Sequence, residues 1–291
     1  MVLNNLKYII NTWQFNIVAF LFVSVIFTQY YKLAVTNIKR DGIALIILQC
    51  IGGISILVLI PFFPMKFSND LKIYGLLLIA IIFYTINDRM QTTVRKNLEV
   101  SLYTILNQLS KVFLIIYGIL VFKQEIVLLK LFGGGLIFFG TAALFYREGK
   151  FTFNKYVLLA VLASFFVATG ITIDVGISTQ FNLPIYIMLT LIVPSLIIFI
   201  AERFSFKEIY LEFLSSRKKY YIITGISWGL LILFTIRALQ LGEAIFIAPL
   251  LAVTVFLNVV AAYFLHKEKS NFVKKVIIAI IIIIGIYCTV V

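Results

Sequence analysis

Ten long apolar stretches separated by short polar breaks dominate the chain. With approximate limits they cover residues 17–35, 43–63, 73–88, 98–122, 128–146, 156–178, 184–204, 220–238, 245–265 and 272–291, the third being the shortest. A helix needs ~20 mostly apolar residues to cross a hydrocarbon layer. The apolar residues run on without alternating, which predicts helices and excludes a transmembrane barrel. Hydrocarbon offers the backbone no partner, so each run must bond to itself as a helix. The breaks carry fitting chemistry: Asn37 to Gly42, Pro61 with Pro64, Arg147-Glu148-Gly149-Lys150, and Asn182 with Pro184. The expected fold is all-α, a polytopic membrane protein with ten transmembrane helices. No small-residue cleavage site follows the first run, so it reads as a retained helix.

One connection is patterned differently. In residues 204–214, Phe206, Ile209, Tyr210, Phe213 and Leu214 recur at i, i+3, i+4, i+7 and i+8, with Lys207, Glu208 and Glu212 on other faces. This predicts an amphipathic helix in the headgroup plane, with Arg217-Lys218-Lys219 beside it favouring an anionic leaflet. The alternative is a solvated loop.

Composition agrees with the pattern. Of 291 residues, 62% are hydrophobic and 13% charged, against ~45–50% and ~25% in soluble domains, and mean hydropathy is +1.09. A soluble enzyme, a disulfide-rich secreted domain and a disordered chain are excluded. Cys50 and Cys288 lie inside apolar runs and predict no disulfide. His266 is the one histidine, so no metal site is expected. No Ser/His/Asp set and no GxxxxGK[ST] loop occur; an enzyme, a cofactor and ATP hydrolysis are not expected. The net charge of +13 resides in the connections, pointing to lipid as partner and not to nucleic acid. Of the 25 Lys and Arg residues, 17 fall in odd-numbered connections, six in the N-terminal segment and even-numbered connections, and two (Lys32, Lys111) within runs. By the positive-inside rule the odd connections are cytoplasmic and both termini outside.

The chain also reads as two halves, 1–150 and 151–291. Glu99 and Glu243 open the fourth and ninth runs, and Glu125 and Glu268 follow them. Gly140 and Gly285 recur further on. Five runs per half is odd, so the second half enters the bilayer inverted, as in many secondary transporters. Five-run repeats that end in an apolar stretch plus Glu, then a short glycine-containing run, resemble the EamA-like repeat of the drug/metabolite transporter superfamily. The best-matching stretch is Ala238-Leu239-Gln240-Leu241-Gly242-Glu243-Ala244 through Pro249 to Glu268. The first copy lacks a proline matching Pro249 and contains Gly133-Gly134-Gly135, which the second lacks. The resemblance implies a ten-helix carrier of small metabolites working by alternating access, and habitually both termini inside, against the charge count.

Ionisable groups within spans are costly and usually face a cavity. Lys111 sits near mid-run, with Asn107 four residues earlier and Gln108 and Ser110 beside it; this group is the expected binder of a carboxylate or phosphate, a structural ion pair being the alternative. Asn258, Thr254, Trp228 and Gln29 are further candidates for the wall of a substrate site, although an asparagine such as Asn258 more often makes an interhelical hydrogen bond than a ligand contact. Asp174 and Asp88 are coupling candidates; the alternative for Asp174 is a wet residue at a helix end, and Asp88, which closes the third run with Asn87 and Tyr84, is better suited to the interface. Gly225 to Gly229 is a small-xxx-small pattern that predicts close helix packing. Glu125 and Glu268 are expected to cap or bridge helices.

The resulting expectation is an ATP-independent transporter of a small metabolite, an amino acid or organic acid for example, by export or exchange. It is placed in a plasma membrane, a bacterial inner membrane by its compactness. A monomer is expected, with a homodimer open. The alternatives are a flippase for a lipid-linked headgroup and, less favoured, an intramembrane lipid-modifying enzyme.

Overall fold

The structure, a computed structural model, describes residues 12–121, 123, 125–147, 150–151, 154–242 and 244–290. Glu243, like Lys7, lies outside the described residues. Polar caps start many of the helices. Asp70 accepts from Lys72 N–H, Asn154 from Tyr156 and Val157 N–H, and Asn182 from Ile185 N–H just before Pro184. Each such cap contributes about 1 kcal/mol. Twelve α-helices result among the described residues: α1 Trp13–Val35, α2 Asp41–Ile56, α3 Leu71–Asn97, α4 Val100–Leu106, α5 Leu109–Leu120, α6 Leu128–Ala143, α7 Lys155–Ile177, α8 Leu183–Ala201, α9 Phe206–Phe213, α10 Lys218–Leu241, α11 Ala244–Leu265 and α12 Phe272–Val290. A two-residue antiparallel pair, Tyr146–Arg147 with Lys150–Phe151, joins α6 to α7.

Nine helices among the described residues are long and apolar enough to cross a membrane, counting α4 and α5 as one. The architecture is that of a multi-pass membrane protein. The tenth apolar segment, α6, has 16 residues and is the shortest.

Two expectations on spans are corrected. The third run is the longest helix, 27 residues, because Asp88 does not close it; the helix continues to Asn97 along residues that bond to neighbouring helices instead of water. The fourth run is interrupted at Asn107-Gln108, where Gln108 N–H and Lys111 N–H bond three residues back. Asn107 and Lys111 therefore do not share one continuous helix.

Packing falls into two main apolar clusters. One joins α1, α2, α8 and α10 around Tyr31, Leu48, Leu191 and Leu233; the other joins α4, α6, α11 and α12 around Ile105, Ile137, Val255 and Ile282. The α3–α7 pair bridges them. Glycines permit the tightest crossings. A Cβ on Gly133 would lie 2.4 Å from the Gly285 carbonyl oxygen, and one on Gly229 2.8 Å from that of Gly52. The pattern Gly225 to Gly229 does serve close packing, against α2.

Connections one, three, seven and nine meet at one end of the bundle, which we call the first face. Arg40 reaches Glu202 and Glu208, and Lys32 reaches Leu98, Arg95 and Lys96. Connections two and six meet at the second face, where Asn182 N–H bonds Lys66 C=O at 2.8 Å. Four of the five cation-rich odd connections thus share a face. The amphipathic stretch is helical: α9 carries a capping box from Ser205 and Glu208 and leaves Phe206, Tyr210, Leu211 and Leu214 exposed.

Candidate functional site

The first face is closed by charge pairs between helix ends. Arg89 of α3 pairs with Glu202, at the end of α8, and lies 3.3 Å from Asp41 of α2. Thr93 donates to Asp41 at 2.7 Å. Arg40 pairs with Glu208 at 2.7 Å, bonds Glu202 C=O and stacks on Phe204. The Ser205 N–H and hydroxyl, then Arg40, hold Glu208 below the usual carboxylate range.

Glu268 clamps the start of α4: its carboxylate accepts from Val100 N–H at 2.6 Å, Ser101 N–H at 3.0 Å and the Ser101 hydroxyl at 2.5 Å. These are amides that a helix start leaves unbonded, and the helix dipole favours the anion there. Glu99 pairs with Lys275. Lys32 performs the converse task, donating to three carbonyls at the end of α3 at 2.8–2.9 Å. His266, beside the clamp, is pushed below its ordinary pKa by burial.

The second face is open at two cavities. One, about 340 Å³, is lined by Phe63, Lys66, Ser178, Phe181, Arg237 and Gln240. The other, about 260 Å³, is lined by Lys111, Glu125, Lys130, Ala248 and Thr289 among others. Neither Lys111 nor Glu125 has a hydrogen-bond or ion-pair partner among the described residues.

Beneath the first face lies a buried polar track. Asp88 accepts from Gln49 at 2.8 Å, Asn87 at 2.8 Å and Gln91 at 2.7 Å. Gln91 in turn accepts from Tyr103 at 2.7 Å. Two turns beyond Asp88, the Arg95 guanidinium sits over the rings of Tyr103, Tyr31 and Phe27 at 4.1, 4.5 and 4.9 Å. Tyr31 bonds Thr92 at 2.7 Å, and Trp228 packs on Tyr31 and Phe27. Rings that stack on a guanidinium lower the cost of taking it out of water. Asp88 is 5% exposed, so the interfacial alternative for it does not hold.

The sequence-derived candidates therefore separate into four places. Lys111 lines a second-face cavity, while Asn107 and Gln108 form the helix break, Gln108 donating to Thr104 C=O at 3.2 Å. Gln29 of α1 donates to the Asn258 side chain at 2.9 Å and its carbonyl at 3.2 Å, and Asn258 donates to Thr254 C=O. Trp228 and Asp88 belong to the polar track. Asp174 stands apart, accepting from Tyr84 at 2.5 Å and from Tyr186. Sequence reading missed Arg95, Gln49, Gln91, Tyr103 and the Arg89 latch. The signal was present: Asp88, Gln91, Thr92 and Arg95 are spaced i, i+3, i+4, i+7, one helix face, once α3 is allowed to extend past Asp88.

No protein-family model matches the chain, and no curated protein matches it.

Proposed function

We propose that the protein is a secondary carrier of a small anionic metabolite, built as two inverted five-span repeats of the EamA-like type. One observation carries the reading. Glu268 clamps a helix start at the first face, whereas Glu125, its counterpart in the repeat alignment, is exposed and without a partner among the described residues at the second face. A carrier resting with one gate shut and the other open has this asymmetry.

The packing supports the repeat. Helix starts recur at offsets of 142 to 147 residues: Trp13 and Lys155, Asp41 and Leu183, Leu71 and Lys218, Val100 and Ala244, Leu128 and Phe272. Exchanging the halves also exchanges contacts. The α1–α10 pair becomes α7–α3, α2–α10 becomes α8–α3, and α1–α11 becomes α7–α5, all of which pack. Even the α6–α12 crossing obeys it, since Gly133 against Gly285 corresponds to Ile278 against Gly140.

In this reading the solute enters from the second face and meets Lys111. The ammonium supplies an uncompensated positive charge in a half-buried site, where an anion gains more than in water. Closing that face and opening the first requires the Arg89, Arg40 and Glu268 contacts to part. The test is flux in proteoliposomes with a panel of labelled amino and organic acids. The expected result is exchange of at least one anion, reduced about tenfold or more by Lys111→Ala, the effect of losing a charged hydrogen bond. Unchanged exchange of every accepted anion would remove Lys111 from the site.

A further inference from the structure

Asp174 is the one acidic side chain in the described spans whose contacts join three helices without a cation or an amide. It projects from α7 one turn before Ser178, which lines the larger second-face cavity. Its two carboxylate oxygens take one tyrosine hydroxyl each, Tyr84 from α3 and Tyr186 from α8. Around them lie Leu77, Ile81, Ile173, Ile177 and Phe181. No Lys, Arg or His among the described residues is within ion-pair distance.

Among the other titratable groups near this cluster, Tyr74 of α3 packs on Phe181 and donates to Ser68 C=O at 3.0 Å. Asp88, one turn past Tyr84, is held by three amides, and Tyr117 of α5 bonds Thr169 at 2.7 Å. Lys111 lines the other cavity, and Lys66 and Arg237 line this one.

We propose that Asp174 is the proton-binding site that couples this protein to a proton gradient, an inference that rests on the carrier reading above. A lone carboxylate in such surroundings discharges by taking one proton from a hydronium ion arriving from the second face: an O–H bond of the hydronium breaks, the carboxyl O–H bond forms, and water is left beside a neutral side chain. The change alters the geometry as well as the charge. An ionised carboxylate accepts both tyrosine hydroxyls; a carboxylic acid has a donor of its own, so one tyrosine must turn its hydrogen elsewhere. No second acceptor is bonded to either hydroxyl among the described residues.

The helices affected are the ones that carry the latch. Tyr84 and Arg89 are both on α3, and Tyr186 is on α8, which ends at Glu202. The α3–α8 contact is thus tied at the second face through Asp174 and at the first through Arg89 and Glu202. Protonation loosens one tie while solute occupies the open side, and release of the proton restores it.

The test uses the full chain in phosphatidylethanolamine/phosphatidylglycerol liposomes, as wild type, Asp174→Asn and Tyr186→Phe. Acid-minus-alkaline infrared difference spectra report the protonated carboxyl without any solute. Labelled malate and glutamate report exchange and, under an imposed pH gradient, accumulation. The expected result is a carboxyl band lost in Asp174→Asn, with gradient-driven accumulation falling to the no-gradient level while exchange persists. Tyr186→Phe, which removes one donor to the ionised form, should keep the band and move its appearance toward alkaline pH. If the band is the same in Asp174→Asn and Tyr186→Phe as in wild type, Asp174 is not the proton site, whatever the fluxes. If the band behaves as expected but Asp174→Asn still accumulates solute, the coupling is overturned. A band without flux of either solute supports proton binding and counts against the carrier reading alone.

Discussion

The two faces of the bundle contrast in what closes them. At the first, charged side chains from four connections interlock, and Glu268 stitches the start of α4 to the α11–α12 turn. At the second, Lys111, Glu125 and Lys130 line an open cavity, and Lys66 and Arg237 edge another. The difference lies in interactions at helix ends, not in the apolar clusters beneath. Arg89 and Glu202 are 30% and 31% exposed, so that pair contributes about 1 kcal/mol or less, and the Arg40–Glu208 pair is more exposed still. A closure made of such terms can be undone one by one. Where the backbones touch through glycine, as at α6–α12, nothing comparable can give way. The molecule thus combines fixed helix crossings with breakable ends.

This contrast can be broken in graded ways. The largest effect is expected from Gly133→Leu, whose first added carbon already collides with the Gly285 carbonyl; thermal unfolding in detergent should fall by about 3 kcal/mol or more, or folded yield should vanish. Wild-type stability would show that α6 and α12 separate freely. Next is Arg89→Ala, which leaves Glu202 and Asp41 facing each other half-buried. About 1–2 kcal/mol should be lost, discounting the cost of a broken buried pair for exposure, with increased thiol labelling of cysteines placed at the first face. Loss of stability without increased labelling would make Arg89 a structural brace and not a latch.

Glu268→Gln should cost about 1 kcal/mol, by weakening the charged cap on α4. Glu125→Gln should cost close to nothing, since that side chain has no partner to lose. Equal effects of the two would erase the asymmetry between faces. The smallest effect concerns pH. Burial depresses His266, so the folded state keeps it neutral. Its contribution is present above the ordinary histidine range and is lost as pH falls through the depressed value. His266→Gln should flatten that acid-side slope in a melting series; an unchanged slope would assign it to other groups.

Most of the fold was legible from the sequence because hydrocarbon leaves the backbone one choice. Among the described residues, nine of the ten apolar runs are helices long enough to cross a membrane, the fourth run being broken at Asn107-Gln108, and the remaining run is the 16-residue α6; Asn182 with Pro184, Pro61 and the polar Asn37–Gly42 break stand where chain reversals occur. Periodicity failed where polar residues have protein partners. A charge inside an apolar run ordinarily meets water, which places the end of the third run at Asp88, whereas Gln49, Asn87 and Gln91 replace water there. The break at Asn107-Gln108 carries no such mark: no Gly or Pro stands beside it, and the neighbouring Thr104, Ser110 and Lys111 read as polar positions of one continuous helix. Of the candidate site, Gln29 and Asn258 proved to be direct partners, as the interhelical alternative for Asn258 anticipates. The tyrosines holding Asp174 carry no local sequence signal, since Tyr84, Tyr186 and Asp174 meet only through packing of three helices.

The most direct test of a carrier with alternating faces is reciprocal thiol accessibility. In a background with Cys50→Ser and Cys288→Ser, Thr289→Cys reports the second-face cavity, and Ser101→Cys, 1% exposed beneath Glu268, reports the first face. Both are labelled in proteoliposomes, with and without a solute that the flux panel shows to be exchanged. The account predicts that solute lowers labelling at position 289 and raises it at position 101 together. Labelling that changes at one position alone, or at neither, would contradict it.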